Sequence, residues 1–218
     1  MQFAANIILI ALAAFPAVLA TIHTECYNYF LKKDGCVWSA ADTRNRCNAT
    51  TGKPPNKPVG LFAPKSPAPP NHSSKRSLER RYTSSNTNTS FIIDSGDGIC
   101  GNYTTNQPGA CLWVGSDAIN GSDPNTAGWL NGAKTSNCGK QLYVQRSGNK
   151  SSVVYVPVLD GCRFYSRNAS VGCFQIALSN KTFYDLNPTP QEIARGYLGD
   201  LIWDFNDEFG LKTTWGPV

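Results

Sequence analysis

The apolar positions change texture three times along the chain. Ile7 to Phe15 is an almost unbroken apolar run, far shorter than the roughly 20 residues a membrane-spanning helix needs. The small residues Val18 and Ala20 follow it, the pattern of a secretory leader cleaved after Ala20. Residues 21–50 then hold few large apolar side chains, too little to bury a core without disulfides or docking. Residues 51–90 contain Pro54, Pro55, Pro58, Pro64, Pro67, Pro69 and Pro70, followed by Ser, Thr and Asn, a composition that reads as an extended linker. From Phe91 onward short apolar runs alternate with turn residues.

Those runs predict the elements. Cys111 to Val114 is one strand. Gln141 to Arg146 alternates, with Leu142 and Val144 on one side. Ser147-Gly148-Asn149-Lys150 then turns the chain, and Val153 to Leu159, rich in β-branched residues, returns it as a hairpin. Phe174, Ile176 and Leu178 alternate as a further strand, and Lys181 to Leu186 fits one helical turn. Thr189-Pro190-Gln191-Glu192 predicts a helix start, with Thr at the N-cap, Pro at the first helical position and Glu completing a capping box. Gly196 fits the stop. Leu201 to Phe205 closes as a strand, with Leu201, Trp203 and Phe205 on one face. Many short strands predict a mainly β fold, and a closed barrel is expected because closure removes exposed edges. The expected organisation is a leader (1–20), a Cys-containing segment (21–50), a basic linker (51–90), a β domain (91–210) and a short tail (211–218).

Composition adds the compartment. Cys26, Cys36, Cys47, Cys100, Cys111, Cys138, Cys162 and Cys173 all lie beyond the leader, and no CxxC pair occurs. An even count in a secreted chain reads as a disulfide framework. Eight cysteines allow about 105 pairings. Cys138–Cys162 is the one pairing expected here, because both flank strand ends in the same region. Three cysteines precede the linker and five follow it, so full pairing requires at least one bridge across it. Sequons at Asn48, Asn71, Asn88, Asn102, Asn120, Asn149, Asn168 and Asn180 predict a glycosylated surface.

The net charge of +5 does not point to nucleic acid. Residues 51–81 carry Lys53, Lys57, Lys65, Lys75, Arg76, Arg80 and Arg81 against Glu79, whereas residues 82–218 carry nine basic and eleven acidic side chains. The basic excess lies in the linker, where charge runs are usually solvated. The dibasic steps Lys75-Arg76 and Arg80-Arg81 also fit cleavage by a secretory convertase. No nucleic-acid partner is expected, and no membrane association once the leader is removed.

Several chemistries drop out. His23 and His72 are the only histidines, and neither lies in the β domain, so a nucleophile–His apparatus lacks its base there. A histidine-rich zinc site is excluded on the same ground. No P-loop or dinucleotide-binding glycine pattern occurs, and no cofactor or metal is expected. Paired carboxylates remain, as used in glycoside cleavage. Asp94 and Asp97 precede the first domain cysteine, and Asp160 ends the long strand. Asp97 and Asp160 converging on a groove would suit a wall-lytic glycosidase or transglycosylase. The alternative is that both regions are polar turns.

Gly128-Trp129-Leu130-Asn131-Gly132 followed by Cys138-Gly139-Lys140 resembles a segment of expansin-like and kiwellin-like double-psi β-barrels. Val156-Pro157-Val158-Leu159-Asp160-Gly161-Cys162 is similar to their strand ending in V-x-D-x-C, and Phe174-Gln175-Ile176-Ala177-Leu178-Ser179 to their strand leading into D-L-S. Cys100-Gly101-Asn102-Tyr103 resembles the start of their barrel. The resemblance spans about residues 95–206. It implies a six-stranded double-psi β-barrel with one or two short helices and a groove that binds wall polysaccharide. In the family's hydrolases the key acid is the Asp of D-L-S. Here that position is Ala177, with Gln175 where expansins have a histidine. The resemblance therefore implies a non-catalytic secreted module that binds wall polysaccharide or another secreted protein. Asp160, Trp129 and Tyr103 are its expected ligand-binding residues. Sugar rings stack on aromatic faces, and this half offers Tyr103, Trp113, Trp129, Tyr165, Tyr184, Trp203 and Trp215, of which Trp203, on an alternating strand, is expected in the core.

Overall fold

The computed structural model describes residues 22–48, 82–83, 90–117 and 121–218. The leader, both dibasic steps, His72 and the sequons at Asn71, Asn88 and Asn120 lie outside the described residues.

The fold is mainly β. In chain order the elements are α1 (Glu25–Asp34), β1 (Tyr82–Thr83), β2 (Ser90–Ile93), β3 (Gly96–Gly98), β4 (Gly101–Tyr103), β5 (Ala110–Trp113), β6 (Gln141–Arg146), β7 (Asn149–Cys162), α2 (Ala169–Gly172), β8 (Ile176–Ser179), α3 (Asn180–Asp185), α4 (Pro190–Arg195), β9 (Tyr197–Leu198) and β10 (Leu201–Phe205). The main sheet runs β1-β10-β6-β7-β5-β8-β2-β9, and β3 and β4 form a separate hairpin. Among the described residues no ladder joins β1 to β9, so the expected closure is not found. Tyr82 and Thr83, placed by sequence in the linker, instead pair with Trp203 and Ile202 and cover the β10 edge.

The long β7 organises this sheet. Its first half returns on β6 as the expected hairpin, Leu142 opposite Val156 and Val144 opposite Val154. Its second half runs parallel to β5, Cys111 beside Asp160 and Trp113 beside Cys162. β5 in turn is antiparallel to β8, with Cys111 opposite Ala177, and β8 is parallel to β2. All four residues of β8 and all five of β10 are buried, so these strands lack the exposed face that alternation predicts. Loop 36–47 supplies part of the cover: Ser39 Oγ donates to the fully buried Asp204 carboxylate at 2.8 Å, and Arg46 pairs with buried Asp207 at 2.8 Å.

The N-terminal segment docks through a helix the sequence pattern did not announce. Thr24 caps α1, its side chain accepting from the Tyr27 N–H, and Gly35 ends it at φ 73°. Tyr27 and Phe30 are buried in the same core cluster as Leu142, Val156 and Trp203. Burying a ring such as Phe30 contributes about 1.5–3 kcal/mol. The backbone N–H groups of Glu25 and Cys26 donate to Ala127 and Gly128 O at 2.6 and 3.1 Å, so α1 sits on the loop before Trp129.

All eight cysteines are paired. Cys26–Cys173 crosses the linker, as the odd count on each side requires, and Cys36–Cys47 closes a loop within the N-terminal segment. The other bridges are Cys100–Cys138 and Cys111–Cys162. The expected Cys138–Cys162 pairing is therefore incorrect. Cys162 lies beside Trp113 in the β5–β7 ladder, diagonal to Cys111, while the β3–β4 turn presents Cys100 to Cys138. Four disulfides fit an extracellular, oxidising setting. No helix among the described residues is long and apolar enough to cross a membrane.

Candidate functional site

Asp160 and Tyr103 are brought together. Asp160, near the end of β7, is a half-buried carboxylate that accepts three hydrogen bonds. Oδ1 receives the N–H groups of Ile99 and Gly161, each at 2.7 Å, and Oδ2 receives the Tyr103 hydroxyl at 3.2 Å. It thus fastens the β3–β4 hairpin, residues 96–103, onto the main sheet. Glycine makes the approach feasible: a Cβ at Gly98 would stand 2.6 Å from the Asp160 carboxyl carbon, and one at Gly161 would stand 2.6 Å from Ile99 Cδ1. The Cys100–Cys138 bridge holds the hairpin's turn from the other side. Thr105 secures its base, accepting from the Asn180 N–H at 2.9 Å and donating to Ile93 O at 2.7 Å.

This environment acts on Tyr103. Partial burial first, then the negative charge of Asp160 and the hydrogen bond to it, push the phenol up to about 12. The Tyr103 hydroxyl therefore stays protonated at neutral pH and serves as a fixed donor.

The other expected residues are elsewhere. Trp129 is 0 % exposed; it packs against Phe30, Trp203 and Phe205 and donates its indole N–H to Cys173 O at 3.0 Å. It has no face for a ligand, so its place in a groove is corrected to the core. The Gly-Trp-x-Asn-Gly stretch misled because Gly128 packs directly against the backbone of Trp113 and Gly115, not against open space. Trp203 lies in the core as expected. Asp97 is exposed and stands opposite Asn102 in the hairpin ladder. Strand alternation sets it on the other side of the hairpin from Gly98, which faces Asp160. Asp94 is also exposed.

Of the exposed rings, Tyr165 and Tyr184 are among those the sequence offers for stacking, whereas Tyr155 is not. Tyr155 lies in mid-β7, and Tyr165 lies three residues past the strand's end, fully exposed at φ 53° next to Phe164 at φ 48°. Two adjacent non-glycine residues in the left-handed region make an uncommon turn. Tyr184 on α3 is half exposed. Alternation flags Tyr155 only weakly, and nothing in the composition singles out the Tyr165 turn.

Two clefts among the described residues lie away from the Asp160–Tyr103 pair. One of about 490 Å³ is lined by Gln141, Tyr155, Asn206, Glu208 and Leu211. Another, of about 590 Å³, lies between the β6–β7 turn and the α4–β10 connection. No group of His, Cys, Asp and Glu among the described residues could hold a metal ion. The chain matches no protein-family model and no curated protein.

Proposed function

We propose that the chain is a secreted binding protein that holds cell-wall polysaccharide along β7, beside Asp160 and Tyr103, without cleaving it. The observation that carries the reading is one row of side chains. Asp160, Cys111 and Ala177 stand in register across β7, β5 and β8. In the barrels this sequence resembles, the proton donor would stand where the buried Ala177 methyl now does. General acid catalysis is worth about 10²–10⁴-fold, and a methyl group supplies none of it. Asp160, with three donors already on it, serves as a latch for the hairpin.

The strand pairings support the double-psi part of the reading. Two parallel pairs, β5 with β7 and β2 with β8, are joined by the antiparallel β5–β8 ladder, an arrangement with approximate two-fold character. The exposed rings Tyr155 and Tyr165 are strung along β7 and the turn after it. Aromatic faces with a polar edge are the surfaces on which amphipathic ligands such as sugar rings stack, and Gln141, Asn206 and Glu208 beside Tyr155 offer partners for hydroxyls.

The test is sedimentation of the secreted, purified protein with a panel of insoluble wall polysaccharides, with reducing ends assayed in the same tubes. Binding without reducing-end release, weakened by Tyr155→Ala or Tyr165→Ala, is expected. Reducing-end release would overturn the non-catalytic reading. Retention of no polysaccharide, with capture of one secreted protein instead, would replace the ligand class.

A further inference from the structure

The 590 Å³ cavity is formed by the β6–β7 turn, helix α4, the following β9 and the Gly199–Asp200 turn. Its size is typical of small-ligand pockets, about 300–1,000 Å³. Its charges cancel. Arg146 is wholly committed: its guanidinium meets both oxygens of Glu192 at 2.9 Å and donates to Leu186 and Asn187 O at 2.7 and 3.1 Å. Arg195 and Asp200 then leave one positive and one negative group at the rim. Arg195 lies over the Tyr197 ring, 4.8 Å from its centroid, and makes a broad, flat surface. Such a cavity suits a neutral, hydroxyl-rich ligand with one flat face, which is a sugar.

A source of that sugar is built into the wall. Asn149 lines the cavity and begins the sequon Asn149-Lys150-Ser151. Its side-chain oxygen accepts from the Ser151 N–H at 3.1 Å and the Ser151 hydroxyl at 2.7 Å. The sequon's own serine thus orients the carboxamide, and Nδ2 makes no hydrogen bond among the described residues. The turn is solvent-exposed and tied to the opposite wall by Ser147 N–H donating to Asp200 O at 2.7 Å.

We infer that Asn149 carries an N-linked glycan whose first sugars seat in this cavity, against the Arg195–Tyr197 stack and beside Asp200. The inference rests on the secretory reading above. The attachment is N-glycosidic: Nδ2 loses a proton and bonds to C1 of the incoming sugar, whose lipid-diphosphate carrier leaves with the electron pair. The secretory pathway supplies the lipid-linked donor. Because the sugar is tethered, it pays little of the association entropy a free ligand pays, and its effective concentration at the cavity is high.

The experiment compares wild type, Asn149→Gln and Ser151→Ala, all secreted from a eukaryotic host, with wild type trimmed by an endoglycosidase that leaves one sugar on Asn. Glycopeptide mass spectrometry reads occupancy of Asn149. An arginine-selective dicarbonyl reads exposure of Arg195, with Arg44, whose side chain is 87 % exposed beside Asp42, as internal standard. The expected result is an occupied Asn149, and Arg195 labelled several-fold more slowly in wild-type and trimmed protein than in either variant, with Arg44 unchanged. An empty Asn149 with other sequons filled overturns this inference alone. Equal Arg195 labelling in all four proteins also overturns it. Free diacetylchitobiose protecting Arg195 in wild type and variants alike, with no protection in its absence, assigns the cavity to an external sugar and overturns the glycan's claim to it. A chain glycosylated nowhere and retained in the cell removes the secretory reading itself.

Discussion

Tyr103 reaches from β4 to donate its hydroxyl to Asp160 Oδ2 on β7, 3.2 Å away. The same carboxylate binds the backbone of Ile99, between β3 and β4. One side chain on the main sheet therefore holds the turn and the second strand of a hairpin whose other ties are the Cys100–Cys138 bridge and Thr105 at its base. The phenol is pushed up by burial first and by Asp160 second, so its titration reports on the latch.

Asp160→Asn should lower the pH at which Tyr103 ionises, measured by tyrosinate absorbance. The shift should be partial, because burial remains. Asparagine keeps one acceptor oxygen for three donors, and a loss of about 1–3 kcal/mol in urea unfolding is expected for the unsatisfied remainder. A phenol raised to about 12 is neutral in the fold while it ionises from about 10 in the unfolded chain. Its contribution is therefore complete below about pH 10 and is lost as pH rises toward 12. An unchanged tyrosine titration in Asp160→Asn would break the link.

Glu192 predicts an acid-side dependence. Hydrogen bonds from Arg146 hold its carboxyl down to about 2, against the opposing effect of burial, and the Thr189 N–H adds to the same direction. The stabilisation is present above the ordinary value of 4.5 and is lost as pH falls toward 2. Arg146→Met breaks this pair and strands the Leu186 and Asn187 carbonyls. A loss of about 3 kcal/mol is expected, the lower end for breaking a buried ion pair, with a flatter stability profile between pH 4.5 and 2. Denaturant midpoints across that range provide the measurement. A variant with the wild-type acid profile would assign the dependence to other carboxylates.

Local elements were legible in the sequence where one rule sufficed. The β6–β7 hairpin, the Thr189–Glu192 capping box and the helix stop at Gly196 follow from alternation and cap chemistry, and each is present. α1 was not legible, because its signal is a Thr24 cap and two buried rings in a short segment dominated by cysteines. The open chain of strands was not legible either, since the exposed edge that barrel closure would remove is covered at β10 by only two residues, Tyr82 and Thr83. At the candidate site the polar residues were readable as residues: Asp160 and Tyr103, both named from the sequence, are hydrogen-bonded to each other, a pairing the sequence did not announce. The aromatic half was readable only in part: Tyr165 and Tyr184 are exposed, but burial of Trp129 depends on α1 and on Phe205, which are remote in sequence. Trp129→Ala should therefore destabilise, by about 3–5 kcal/mol for a core aromatic, and is unsuited to reading out binding.

The Cys26–Cys173 bridge makes a prediction about covalent architecture. It joins residues 22–48 to the β domain across a separation of 147 residues, and Cys36–Cys47 stays within the first piece. A chain cut once at a protease site engineered within residues 49–81 should run as one species without reductant and as two with it. After cutting, α1 should stay docked, because Tyr27 and Phe30 remain in the core. Cys26→Ser with Cys173→Ser should instead let the cut pieces separate under mild denaturant, and the uncut double variant should lose about 4–5 kcal/mol by loop-closure entropy. Separation of the cut wild-type pieces without reductant would contradict the bridge.

Gln145 is the clearest mismatch between sequence and packing. It lies on β6 at the irregularity between Val144 and Arg146 that leaves it without a β7 partner. It is fully buried, and neither its side-chain oxygen nor its nitrogen has a hydrogen-bond partner among the described residues. Burying an amide without compensation costs about 1–3 kcal/mol in proteins. Gln145→Met keeps the length and removes both polar atoms, so a gain of about 1 kcal/mol is expected, read as a higher urea midpoint at unchanged slope. Gln145→Ala removes volume as well and should lose what Met gains, because a cavity replaces the side chain. The pair of variants separates polarity from packing. Were Gln145→Met to destabilise by a kilocalorie or more, the amide must have a partner in solution, and this strand position would be a polar contact rather than a buried cost.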